Sequence, residues 1–200
     1  FTSILYGMWF DGTDDKVHII DSIVAPNDIA ALSDSIRLEA TINPETVATA
    51  SSAVWYGAHT IAELRSETSP NIVDVPFNFG VDNSKLYLGT ASAYAAQAAS
   101  NVVGSTTLVA GTTYNVAFTI DGDDWEIFVD GVSDGSGTFA SGTWNRSTGT
   151  AVSNFIIGAR SDNAGTTFTK FFEGAIRDVK LYNSVDTSSL IGQYDGYGNT

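Results

Sequence analysis

The sequence predicts an all-β fold, a sandwich or barrel, and three observations predict it. Short runs rich in Val, Ile, Phe and Tyr recur at fairly regular spacing, punctuated by Gly, Ser, Thr, Asn and Asp. Several of them alternate: Tyr114, Val116, Phe118 and Ile120 share one face of a strand, and Asn115, Ala117 and Thr119 the other. Three of the four prolines lie outside the predicted strands, and the fourth, Pro76, falls near the start of one.

The first predicted strands, in chain order, are Ile4–Phe10, Lys16–Asp21, Ser35–Ile42, Ala53–His59 and Val75–Val81. Lys85–Gly89, Thr113–Asp121, Trp125–Asp130, Ser153–Ala159, Thr166–Phe172 and Ala175–Tyr182 follow. Two Asp-Gly steps, Asp11-Gly12 and Asp121-Gly122, each lie between strand-like runs. Both read as hairpin turns, because glycine accepts the positive φ of a type I′ turn. Ala91–Ser100 is alanine-rich but has neither a capping box nor an apolar stripe, so it reads as a loop or edge segment as readily as a helix. Asp186–Tyr194 opens on an Asp/Ser/Thr cluster suited to one or two helical turns. Ser141–Thr150 and Arg160–Thr167 are polar and glycine-rich surface loops.

Length and composition fit one domain over residues 1–200, without a linker. A chain of this size buries roughly 70% of its unfolded surface. It needs no disulfide, and it has no cysteine to form one. The net charge of −14 argues against nucleic acid and anionic lipid surfaces as partners. No apolar run approaches the roughly 20 residues of a membrane span. The start, FTSILYGMWF, has neither a basic n-region nor an initiator methionine, so the chain reads as a mature product, a trimmed form or part of a longer protein.

The densest acidic stretch, TIDGDDWEIFVDG (Thr119–Gly131), admits three chemical readings. An EF-hand is excluded: counted from Asp121, the turn glycine of position 6 is Glu126; counted from Asp130, position 12 is Ser141. Paired catalytic carboxyls would need Glu126 and Asp130, whose i, i+4 spacing places Phe128 between them. Glu63 and Glu67 share that spacing, but AELRSETSP reads as a loop. A hairpin, Tyr114–Asp121 then Trp125–Asp130, with a second turn at Asp130-Gly131, accounts for every residue type.

YNVAFTIDGDDWEIFVDGV (Tyr114–Val132) resembles the central hairpin of laminin-G-like domains of the concanavalin A-like lectin/glucanase superfamily, W-x-H-V-A-V-T-F-D-G … L-Y-V-D-G. WFDGTDDKVHI (Trp9–Ile19) is similar to the opening F-D-G-x-D-D-Y-V-x-I, and FFEGAIRDVKLYNSV (Phe171–Val185) to the closing F-x-G-x-I-D-E-V-R-I-Y-N. SIRLEATINP (Ser35–Pro44) and VSNFIIGARSDN (Val152–Asn163) fall at two further strands in the same order. The resemblance spans nearly the whole chain and implies an antiparallel two-sheet jelly-roll β-sandwich. Two departures stand out: Ala40 replaces a tryptophan, and Arg177 stands where the closing motif has an acid, with Asp178 one place later. A one-residue shift on a regular strand turns a side chain to the opposite face. Members that hold calcium often use acidic residues near the opening and closing strands. The resemblance therefore marks Asp11, Asp14, Asp15 and Asp178 as ligands for a structural Ca2+; otherwise they are turn formers.

The glucanase motif E-x-D-x-x-E is missing, the only histidines are His18 and His59, and there is no G-x-S-x-G elbow. The expectation is thus a non-catalytic module that binds a glycan or surface polysaccharide, in a larger extracellular, cell-surface or virion protein. The alternatives are a structural module that contacts other subunits of an assembly and, third, a polysaccharide-active enzyme. Sugars stack on aromatic faces beside polar side chains. Trp144, Asn145 and Arg146, then Trp55 or Tyr56, and Tyr94 are the candidate ligand-binding residues. Trp9 and Trp125 are expected to serve packing.

Overall fold

The computed structural model describes residues 7–21, 34–47, 59–69, 72–91, 101–139, 152–162 and 167–195. Among them are strands and no helix. The first half of the chain gives β1 (Met8–Asp11), β2 (Val17–Asp21), β3 (Ser35–Pro44), β4 (His59–Ser69), β5 (Ile72–Asp82), β6 (Lys85–Ala91) and β7 (Asn101–Val103). The second half gives β8 (Tyr114–Asp121), β9 (Asp124–Val129), β10 (Val132–Thr138), β11 (Val152–Ile157), β12 (Arg160–Asp162), β13 (Thr167–Thr169), β14 (Glu173–Tyr182) and β15 (Leu190–Tyr194). They form a seven-stranded sheet in the order β1-β14-β3-β8-β9-β10, with β15 also on β14, and a six-stranded sheet in the order β2-β11-β4-β5-β6-β7. β12 and β13 make a small ribbon of their own. Every pairing is antiparallel.

The two large sheets face each other across one core. Leu38, Phe118, Ile127 and Ile176 come from the first, and Phe77, Phe79, Leu86 and Phe155 from the second; all are buried. Phe77 and Phe79 pack on Phe118 with ring centroids 5.0 and 5.2 Å apart, a tilted and an edge-on contact that join the sheets. In β8, Tyr114, Val116, Phe118 and Ile120 point inward as the alternation predicts, and Ala117 lies on the opposite face. Phe10 crosses to the other sheet: a Cβ on Gly158, just past β11, would stand 2.1 Å from its ring.

Several expectations change. The Asp11-Gly12 step is not a hairpin turn. β1 belongs to one sheet and β2 to the other, so the segment between them crosses the sandwich edge. The β8–β9 turn has positive φ at Gly122 but not at Asp123, the type II′ arrangement; the I′ pair sits at Asp130 (φ 50) and Gly131 (φ 78). Of AELRSETSP, Ala62–Ser69 belong to strand β4 rather than to a loop, and Pro70 lies outside the described residues. Asp186 does not cap a helix. Its Oδ1 accepts from the Ser188 amide at 2.9 Å in an Asx turn, and the chain returns as β15. The Ala53–His59 strand is described only from His59, where β4 begins, and Ala91–Ser100 lies outside the described residues beyond Ala91. Trp9 does not pack: it is 60% exposed.

Candidate functional site

Antiparallel register determines what the outer face of the seven-stranded sheet carries. Three rows run across it. Tyr182, Arg37, Thr119 and Glu126 form one, Lys180, Glu39, Ala117 and Phe128 the next, and Arg177, Thr41 and Asn115 the third. The second row holds the smallest residue, Ala117, between long neighbours, which opens a depression across the sheet. A groove of about 380 Å³ results, lined by Arg37, Glu39, Thr41, Asn115, Phe128 and Lys180, among others. That volume is within the range of small-ligand sites.

A bulge in β14 shapes one wall. Thr41 pairs with Arg177 and Glu39 with Lys180, so β14 carries one residue more than β3 over this span. Asp178 adopts φ 53, a left-handed conformation that, glycine apart, Asp and Asn tolerate best. Arg177 and Asp178 both remain partly exposed while Ile176 and Val179 are buried. The one-residue displacement of the acid in the closing motif is thus absorbed by the bulge, and Asp178 lines the groove. Its carboxylate lies 3.6 Å from Arg177 Nε.

The groove pairs polar groups with one aromatic face. The Arg37 guanidinium lies 5.1 Å from the Phe128 ring centroid, and its Nε donates to Glu39 Oε1 at 2.7 Å. Tyr182 Oη donates to Glu39 Oε2 at 3.3 Å. Burial, then the Glu39 carboxylate, hold the Tyr182 hydroxyl above its ordinary pKa. Thr41 Oγ1 donates to Asn115 Oδ1 at 3.0 Å. Asp130, which sequence reasoning weighed as a catalytic partner of Glu126, closes a turn: its Oδ1 accepts from the Asn115 amide at 2.8 Å.

At the sandwich edge, Asp11, Asp14 and Asp15 each offer an oxygen, all within 4.8 Å of one another. Thr13 and Asp14 amides donate to Asp11 Oδ1, and the Asp11 amide to Asp15 Oδ2. One oxygen each of Asp11 and Asp15, and both of Asp14, are left outside these bonds. Hard carboxylate oxygens suit calcium, which takes six to eight ligands, so water or further chain atoms must complete the shell. Asp178 is not part of this cluster. Asp11 pairs with Glu173, and Asp178 lies five residues further along β14, about 17 Å away.

The six-stranded sheet carries a different polar group on its outer side. Glu63 is fully buried; Asn78 Nδ2 donates to its Oε2 at 2.5 Å and the Ser161 amide to its Oε1 at 3.1 Å. Arg160 and Arg65 approach to 3.9 and 4.0 Å. Arg65 also donates to the Ser161 carbonyl, and Tyr87 Oη to Asn78 Oδ1. Burial outweighs the two arginines and raises the Glu63 pKa to about 7. These contacts fasten the β12 ribbon to β4.

The sequence-predicted ligand residues Trp55, Tyr56, Tyr94, Trp144, Asn145 and Arg146 all lie outside the described residues. Trp125 packs on Phe139, with ring centroids 6.2 Å apart, and over Gly137. The groove residues were missed because each is one ordinary polar or small residue of an alternating strand. Only the register of four strands brings them together.

Residues 11–191 match the profile of a laminin G family of the concanavalin A-like lectin/glucanases superfamily. No curated protein sequence matches the chain. Among solved structures, a carbohydrate-binding module (CBM40) of the Ruminococcus gnavus IT-sialidase, bound to α2,3-sialyllactose, is similar at TM-score 0.58 and 11% identity over 80% of each chain. A heptameric SAP-like pentraxin from Limulus polyphemus is similar at TM-score 0.54 and 16% identity, covering 90% of this chain and 76% of that one. The LG1-3 region of the laminin α2 chain is similar at TM-score 0.57 and 10% identity, covering 94% of this chain and 34% of that one.

Proposed function

Because the chain belongs to the concanavalin A-like lectin/glucanases superfamily, we propose that it is a non-catalytic carbohydrate-binding or adhesion module that takes its glycan on the outer face of the seven-stranded sheet. The observation that carries this reading is the groove of Arg37, Glu39, Asn115, Phe128 and Lys180. It offers donors and acceptors to sugar hydroxyls beside an aromatic surface. Its two carboxylates are engaged by arginines, Glu39 by Arg37 and Asp178 by Arg177, which suits positioning more than proton transfer. The R. gnavus module and the laminin region lend support as carriers of similar folds. Asp11, Asp14 and Asp15 are the residues that would hold a structural calcium ion, which would stiffen the β1–β2 crossing. The setting that fits is the extracellular, cell or virion surface, within a larger assembly. No helix among the described residues is long and apolar enough to cross a membrane.

The test is a glycan array probed with the wild-type chain and with Phe128→Ala, in calcium and in chelator. Specific signals that fall with Phe128→Ala support the reading. Signals indifferent to Phe128→Ala move the site elsewhere, and a blank array in both conditions removes the carbohydrate function.

A further inference from the structure

The outer face extends past the groove. Beyond the row of Arg177, Thr41 and Asn115 lies a fourth row: Trp9, Ala175 and Asn43, with Thr113 next to Asn43. A second, shallow depression is walled there by Gly7, Asn43, Thr113, Ala175 and Arg177. Thr41 borders both depressions, so they adjoin on this face. At its far end stands Trp9, 60% exposed on the outer side of β1, while its neighbour Phe10 is buried at 2%. No other aromatic ring among the described residues is exposed to this degree. Tryptophan is usually much more buried, and its broad face is the side chain best suited to stack on a sugar ring.

The face between the groove and Trp9 is low. Gly7, Ala175, Thr41, Thr113 and Ala117 raise little above the backbone, and the long side chain of Arg177 is turned toward Asp178. Trp9 and Phe128 are four strand spacings apart across β14, β3 and β8, about 19 Å, and four residues apart along the strands, about 13 Å. The diagonal is about 23 Å, several times the width of one sugar ring. Two stacking surfaces so placed cannot serve one terminal sugar.

Resting on the carbohydrate reading above, we infer that the ligand is a linear saccharide chain of several units lying diagonally from Phe128 to Trp9, and that Trp9 forms the distal end of the same site. Thr41, Asn43 and Asn115 contact the middle of the chain, and the groove holds one end.

The experiment uses the whole chain and a size series, from monosaccharide to octasaccharide, of the glycan giving the strongest array signal. Calorimetry measures each Kd for wild type, Trp9→Ala, Trp9→Tyr and Phe128→Ala, with thermal melts confirming that each variant folds. Affinity is expected to rise with length by about tenfold or more and then level off. Trp9→Ala should remove that gain on long chains with under about a twofold effect on the disaccharide, Trp9→Tyr should restore part of it, and Phe128→Ala should weaken every length. Affinity independent of length, or of Trp9 while still dependent on Phe128, overturns the inference and leaves the groove as a terminal-sugar site. Binding indifferent to both rings overturns the inference and the site together. A blank array removes the carbohydrate reading itself, and the inference with it.

Discussion

Asn78 Nδ2 donates to Glu63 Oε2 at 2.5 Å across the β4–β5 pair, with both side chains buried. The contact is charge-assisted when Glu63 is ionised, yet burial keeps the proton on Glu63 up to about pH 7. The folded value lies above the unfolded one of 4.5, so the Glu63 contribution to stability is fully present below pH 4.5 and lost as pH rises through 7. Replacing it by Gln should remove this dependence. Between pH 5 and pH 8 the stability of Glu63→Gln relative to wild type should rise by about 2–3 kcal/mol in urea melts. Parallel stability–pH curves for the two proteins would refute the assignment.

At Gly158, φ is 83 and an added Cβ would stand 2.1 Å from the buried Phe10 ring. Both backbone strain and overlap oppose any side chain. Gly158→Ala should lose about 2 kcal/mol or more of folding stability, whereas Gly122→Ala, whose added Cβ meets nothing within 4 Å, should lose about 1 kcal/mol. Equal melting temperatures for the two variants would contradict the packing described.

Asp178 holds its left-handed conformation inside the bulge at a steric cost that glycine does not share. Asp178→Gly should leave folding unchanged or stabilise it by up to about 1 kcal/mol, while Asp178→Val should destabilise it by about 1–2 kcal/mol. On the carbohydrate reading, both should weaken glycan binding, since both delete the carboxylate that lines the groove. Thermal melts with calorimetry on the same samples separate the two effects.

If calcium seats at Asp11, Asp14 and Asp15, the melting temperature should rise with calcium and fall in chelator. Calcium at 100 times its Kd adds about 2.7 kcal/mol. Asp14→Asn should weaken that response strongly, because neither carboxylate oxygen of Asp14 takes part in the loop hydrogen bonds among the three aspartates. A calcium response unchanged in Asp14→Asn would place the ion elsewhere.

Much of the sandwich is legible from local pattern, because an alternating strand such as β8 declares its inward face through Val116, Phe118 and Ile120. Pattern fails where the outer face is itself buried. β4 looks like a loop because Glu63 and Arg65 are charged, and their partners Asn78, Arg160 and Ser161 come from elsewhere in the chain. The Asp11-Gly12 step has the chemistry of a hairpin turn, but nothing local tells which sheet the next strand joins. Lys180, Glu39, Ala117 and Phe128 become neighbours only through pairing across four strands. Trp9 reads as framework from its motif, and its direction depends on its pairing with Ala175.

The extra residue in β14 also bears on how this chain can be compared with others and redesigned. A position-by-position match through the closing motif would pair Arg177 with an acid and treat the difference as a charge reversal. In space, the strand offers two adjacent outward positions where an unbulged strand offers one, and here they hold an arginine and an aspartate together. An insertion at such a point alters the decoration of the surface and leaves the interior untouched, because Ile176 and Val179 keep their places on either side of it.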